Sequence, residues 1–288
     1  MQYTNPELPE GINTSTSHPL KEFFILTAGV IGAIILLLSL LIVTVDYFAD
    51  KIPFEWEQGF PLGPLINNQK NEPLPVYIDQ VSRRVIDEME LPEGMEITVH
   101  YVNEDVVNAF ATLGGHIVLY RGLLEKLGSE DELAMVIAHE VAHIKHRHPI
   151  LSASHGVVVG VVMSLIVGSS GDDAIGKMLG TTGMVSLMNY SREYEYEADQ
   201  EAINAMISLY GHADGAIALF NVFESAMGKT QTIEFLSTHP LTDKRIARTH
   251  MMIDEKRVTG IKSMTLLPQS FVKWLAVEKA DRKKEVEE

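Results

Sequence analysis

Hydrophobic patterning divides the chain before any single residue is considered. From Phe23 to Val45 it carries no charge and is rich in Leu, Ile and Val. A helix needs ~20 such residues to cross the hydrocarbon core of a bilayer, so this stretch predicts a transmembrane anchor. It is too long for the apolar part of a secretory signal, and no small-residue cleavage pattern follows it. A different pattern occupies residues 130–148. There Leu133, Val136, Ile137, Val141 and Ile144 recur at helical spacing. Ser129 with Glu132 fits a capping box, Lys145, Arg147 and His148 complement the dipole of the last turn, and Pro149 is expected to stop the helix.

The remaining elements follow from the same reading. A helix is expected over 75–89, and strands over 96–102, 106–113 and 116–120, the last two joined at Gly114-Gly115. Further helices are expected over 191–209, 212–227 and 242–254. Two other apolar stretches, 150–168 and 174–188, flank a polar turn at 169–173. The organisation expected is a polar tail (1–22), the anchor (23–45), a Pro/Gly-punctuated linker (46–74), one domain (75–265) and a charged C-terminal segment (266–288). The fold class is α+β and mainly helical, with a small antiparallel or mixed sheet beside the central helix.

Composition narrows the function. With 288 residues the chain can hold an anchor and one domain with a real core. Its formal net charge of -16 argues against nucleic acid as a partner and against electrostatic docking on anionic lipid. No glycine-rich nucleotide loop is present, so no nucleotide partner is expected. There are no cysteines, hence no disulfide and no thiolate metal site.

The chemistry lies in Ala138-His139-Glu140-Val141-Ala142-His143. Residues i and i+4 share one helix face, so His139 and His143 can grip one ion, while Glu140 can reach a water beside it. Catalytic zinc takes three protein ligands and keeps one open position. The metzincin extension fails, because it wants Gly and His where this chain has His146 and Pro149. The alternative is a carboxylate from the helix containing Glu193, Glu195, Glu197 and Asp199. Spacing pairs Glu193 with Glu197 and Glu195 with Asp199. A ligand with a supporting carboxylate one turn later favours Glu195, with Asp199 accepting the free ring N–H of a ligand histidine. Ala198 is small enough to let two helices approach. If His143 and Glu195 meet at one ion, the segment between them crosses a membrane either not at all or twice. Helices packed on the domain or lying in the interface are expected, in preference to a spanning hairpin.

These motifs carry a resemblance. His139-Glu140-x-x-His143 followed by Ser191-Arg192-x-x-Glu195-x-x-Ala198-Asp199 resembles the gluzincin metallopeptidases of the CAAX-prenyl-protease, HtpX and OMA type. Asn108-Ala109-Phe110-Ala111, Gly114-Gly115-His116-Ile117-Val118-Leu119-Tyr120, and Ser237-Thr238-His239-Pro240 with Arg245-Ile246 match as well. The resemblance covers about residues 75–255. It implies a zincin-like fold and a membrane-anchored zinc endopeptidase with one Zn2+ per chain, held by His139, His143 and Glu195. Glu140 becomes the general base and Asp199 the support of a ligand. His239 becomes a histidine near the metal that stabilises the oxyanion or caps the site. The implied partners are unfolded, membrane or envelope polypeptides and the lipid bilayer. A bacterial-type inner membrane with the domain outside the cytoplasm is the implied location. A strand edge formed by Gly115, His116, Ile117 and Val118 is expected to pair with extended substrate. A second reading is a zinc-bound chaperone or assembly factor with weak or latent proteolysis.

Overall fold

A computed structural model describes residues 18–49, 51–58, 74–167, 190–226, 234–256 and 263–287. The expected turn at 169–173 and the apolar stretch 174–188 lie outside these residues, as do most of the N-terminal tail and of the linker. Two compact units are present, residues 1–44 and 45–288.

The first unit is built on α1 (Pro19–Ala49), which runs on past Thr44 into the second. Its 30-residue stretch Pro19–Phe48 is long and apolar enough to cross a membrane. Two of its hydroxyls are satisfied within the helix, as a hydrocarbon environment requires. The Ser39 hydroxyl donates to the Ile35 carbonyl at 2.9 Å, and the Thr44 hydroxyl to the Leu40 carbonyl at 2.7 Å.

The second unit contains α2 (Phe54–Glu57), α3 (Val76–Glu88), β1 (Thr98–Val102), β2 (Ala109–Thr112), β3 (His116–Tyr120), α4 (Arg121–Leu124), α5 (Glu130–Lys145) and α6 (His148–Val167). It continues through α7 (Arg192–Tyr210), α8 (Asp214–Ala226), α9 (Phe235–Thr238), α10 (Asp243–Glu255) and α11 (Gln269–Glu287). Helix α5 is its axis, buried from Glu130 to Ile144. The capping box forms as expected: Ser129 Oγ accepts from the Glu132 amide, and the Glu132 carboxylate accepts from the Ser129 amide, both at 3.2 Å. Around α5 pack α7, α8, α3 and β2. Ala138 and Ala142 on α5, with Ala198 and Ala202 on α7, are fully buried. Small side chains there let the two helix backbones come close. Burying Leu133, Val136, Ile137 and Val141 stabilises the fold by roughly 1.5–3 kcal/mol per side chain.

Helix α5 ends earlier than the proline suggested. The chain leaves it at His146 and turns through Arg147, whose φ of 62° is left-handed. Pro149 therefore does not stop α5. It lies in the first turn of α6, where its missing N–H costs no helical hydrogen bond.

The sheet is mixed, in the order β1-β3-β2, with β1 parallel and β2 antiparallel to β3. Gly114 and Gly115 join β2 to β3 with φ of 77° and 81°, and a Cβ on Gly115 would lie 2.0 Å from the Glu96 carbonyl oxygen. Only glycine permits that turn beneath the start of β1. This order corrects one expectation. Gly115, His116, Ile117 and Val118 form no free edge, because residues 116–118 pair with β1 on one side and β2 on the other. Sequence alternation identifies a strand but not its neighbours. In the described sheet the outer strands are β1 and β2.

The segment 266–288 is likewise not separate from the domain. Phe271 and Leu275, one turn apart on α11, enter the main core, and Phe271 packs on Tyr77 and Trp274. The charges around them concealed that short apolar stripe.

His100 on β1 and His116 on β3 meet with Nε2 and Nδ1 3.0 Å apart. Burial lowers both pKa values, and the neighbouring His100 helps bring His116 down to about 4. An unfolded histidine titrates near 6.5. Between about pH 6.5 and 4 the unfolded chain therefore binds protons that the folded one refuses, so stability present above this window is lost on acidification. His116→Gln should flatten that loss. The check is the melting temperature of metal-free protein in detergent between pH 7.5 and 5; identical slopes for variant and wild type would refute the assignment.

Candidate metal centre

Three elements converge beside the middle of α5. Helix α5 supplies His139, Glu140 and His143, and α7 supplies Glu195 and Asp199. The turn after α9 brings His239, and α10 brings Arg245. Local capping sets the last contributions. Ser191 caps α7 by accepting from the Tyr194 amide, and Thr242 caps α10 by accepting from the Arg245 amide, each at 3.2 Å. Those caps fix where each helix begins, and so where Glu195 and Arg245 project.

His139 Nε2 and His143 Nε2 are 3.0 Å apart. Glu195 lies 3.5 Å from the first and 3.4 Å from the second, using its two oxygens. His239 Nδ1 is 2.9 Å from Glu195 Oε1 and 3.3 Å from His139 Nε2. One donor atom from each of these four residues fits within a 4.8 Å cluster. Donors about 2.1 Å from one tetrahedral ion lie about 3.4 Å from each other, which is close to the spacings seen.

Unpartnered polar atoms indicate the same place. Glu140 is fully buried, and neither of its oxygens has a hydrogen-bond partner. His239 Nε2 is also buried without one and lies 3.5 Å from Glu140 Oε1. A buried carboxylate without a partner is costly, so this donor set fits a cation beside it.

The surroundings keep the acids charged. Burial alone would raise the Glu195 carboxyl, but Arg245 and His239, with hydrogen bonds from His139 and His143, hold it well below the usual carboxylate range. Burial opposes ionisation of Asp199 too, and Arg245 outweighs it. The Arg245 guanidinium grips Asp199 through two hydrogen bonds of 2.6 and 2.7 Å and ion-pairs with Glu195. Asp199 Oδ1 lies 3.2 Å from His139 Nδ1. Burial drives the His143 pKa well below its ordinary value, leaving the ring neutral with a lone pair to offer. Burial would lower His139 as well, yet Asp199 and Glu195 raise it to about 9. In metal-free protein an incoming ion must displace that proton.

Three further residues belong to the site. Arg245 stood in a matched motif without a role. His148 read as dipole compensation, but its Nδ1 is 2.9 Å from His143 Nδ1. Tyr190 carried no sequence signal. It stacks on His143 with centroids 4.0 Å apart and donates its hydroxyl to the Ala111 carbonyl of β2 at 3.3 Å.

Comparison with known proteins gives a consistent picture. The sequence model of peptidase family M48 matches residues 75–253, well over half of the chain. The beta-barrel assembly-enhancing protease of Escherichia coli (strain K12) is 27% identical over 216 residues, covering 69% of this chain and 42% of that protein. The mitochondrial metalloendopeptidase OMA1 of Schizosaccharomyces pombe is 28% identical over 190 residues, covering 65% of this chain and 55% of that protein. A putative beta-barrel assembly-enhancing protease of Vibrio cholerae is 31% identical over 199 residues, covering 63% and 40%. The chain thus spans about half the length, or less, of these relatives.

Proposed function

We propose, from the premise that this chain belongs to peptidase family M48, that it is a membrane-anchored zinc endopeptidase. The observation carrying this reading is the convergence of His139, His143 and Glu195 beside the unpartnered carboxylate of Glu140. Two imidazoles and a carboxylate, without thiolate, suit zinc in a catalytic rather than a structural role. A bound zinc ion supplies a Lewis acid and lowers the pKa of water toward ~7.

The chain's own residues do the rest. His139, His143 and Glu195 hold the ion, and Asp199 orients His139. Glu140 takes a proton from the attacking water and later delivers it to the departing amine. His239, facing Glu140 through Nε2, stands where a donor can stabilise negative charge on the scissile carbonyl oxygen. Extended polypeptide is the fitting substrate; β2 is the outer strand beside the metal helix, but it is buried and its Ala111 carbonyl accepts from Tyr190, so substrate could pair there only after Tyr190 moves.

One observation favours the second reading, a zinc-bound chaperone or assembly factor with latent proteolysis. His139, Glu140, His143, Glu195 and His239 are at most 2% exposed. With Tyr190 seated on His143 and Ala111, cleavage requires movement around the site. The apolar α1 and a relative named for enhancing beta-barrel assembly support action on membrane or envelope proteins. A location at a bacterial-type membrane with the domain outside the cytoplasm is part of the same proposal and rests on the family resemblance alone.

The full chain in detergent, digesting casein, tests the proposal. A chelator should abolish cleavage, and one equivalent of zinc should restore it. Protein that binds zinc and suppresses casein aggregation without cutting would favour the chaperone reading instead.

A further inference from the structure

His148 is five residues beyond His143. On an uninterrupted helix that spacing puts the two side chains about 140° apart in rotation, so they would not meet. They meet because the chain breaks between them. Arg147 holds a left-handed φ of 62°, unusual for a residue with a side chain. Its guanidinium is tied to the Ile52 carbonyl at 2.9 Å and to Glu57 at 2.5 Å. That turn returns His148 to α5, where it is 1% exposed. The ring is then fixed by stacking on Tyr194, with centroids 4.2 Å apart and planes 12° apart.

Proton counting gives the contact a direction. His143 Nδ1 and His148 Nδ1 are 2.9 Å apart, so one nitrogen carries hydrogen and the other does not. His148 Nε2 lies 3.1 Å from the Glu197 carboxylate. If His148 carried its hydrogen on Nδ1, a bare Nε2 would face that carboxylate, lone pair against lone pair. If it carries its hydrogen on Nε2, it donates to Glu197 and its Nδ1 accepts from His143. His143 then holds its hydrogen on Nδ1 and presents a bare Nε2 to His139 and Glu195.

We infer that His148 is a positioning residue for the metal centre: anchored by Glu197, it fixes the tautomer and orientation of His143. The inference rests on the metal site proposed above. It makes the two imidazoles comparable. Asp199 supports His139 directly, and Glu197, two residues earlier on α7, supports His143 through His148. The two supports differ in exposure, since the Asp199 side chain is buried and that of Glu197 is 57% exposed.

The test measures zinc affinity of the full chain in detergent by competition with a chromophoric chelator, and the absorption bands of the cobalt-substituted protein. His148→Leu removes the acceptor and should weaken zinc binding about 10- to 100-fold and shift the cobalt bands. His148→Asn places an amide oxygen near the former Nδ1 and should recover most of both. A residue that only filled space would not show that rescue. Glu197→Gln, on the surface and compatible with folding, should weaken binding several-fold. His148→Leu that binds zinc as tightly as wild type, with unchanged cobalt bands, overturns the inference. If that variant does not fold, unchanged affinity in Glu197→Gln overturns it. Wild-type protein that takes up no zinc would instead sink the metal assignment itself.

Discussion

Glu140→Gln is expected to keep one zinc per chain and to lose cleavage by about 10²- to 10⁴-fold, the range for removing a positioned general base. The substitution preserves shape and volume in a fully buried position. It removes the ability to take a proton from water. No proposed ligand is touched, because the cluster that could hold the metal consists of His139, His143, Glu195 and His239. The buried Glu140 oxygens have no hydrogen-bond partner in the metal-free protein, whereas an amide is neutral. The variant should therefore melt no lower than wild type when both are stripped of metal. Casein digestion, zinc content and melting temperature on one preparation check all three points. Cleavage at the wild-type rate would remove Glu140 from the mechanism, and loss of zinc together with activity would make it a ligand instead.

How much of this was legible beforehand depends on the range over which each feature is determined. The capping box, the i, i+4 histidine pair and the Glu195–Asp199 spacing are local, and the residues expected at the site are brought together by the fold. The long apolar helix α1 was legible from an uninterrupted apolar run, which needs no knowledge of packing. Sheet order was not, since β3 has the alternation of any half-buried strand and only its neighbours make it central. The end of α5 was misplaced because proline marks where a helix cannot pass, while the left-handed turn at Arg147 depends on anchors near residues 52 and 57. The same dependence hid His148, whose spacing from His143 is wrong for a regular helix. Arg245 was invisible as a site residue because a single arginine in a capped helix says nothing about two acids held more than 40 residues away.

Arg245→Leu is expected to be the most damaging change to the folded protein. The guanidinium is 5% exposed and lies between two buried carboxylates, hydrogen-bonded to Asp199 and ion-paired with Glu195. Removing it leaves two buried anions with only the His139 imidazolium beside them. Breaking a buried pair in this way costs about 3–5 kcal/mol. At 2–4 °C per kcal/mol for a domain of this size, the metal-free protein should melt roughly 6–20 °C lower. Zinc at Glu195 replaces part of the lost charge but leaves Asp199 uncompensated, so saturating zinc should narrow the gap without closing it. Acid acts in the same direction. Arg245 holds both carboxyls below their ordinary pKa, so wild type retains this stabilisation until the pH falls below the usual carboxylate range. In the variant that depression is relaxed while burial still raises both carboxyls, so falling pH neutralises the stranded anions before it reaches the wild-type pair. The deficit relative to wild type should therefore shrink as the pH is lowered from 7 toward 4. Arg245→Lys keeps one charge but cannot span both acids, and should fall between the two. A leucine variant that melts with wild type at pH 7, free of metal, would show that Arg245 does not hold these acids in the folded protein.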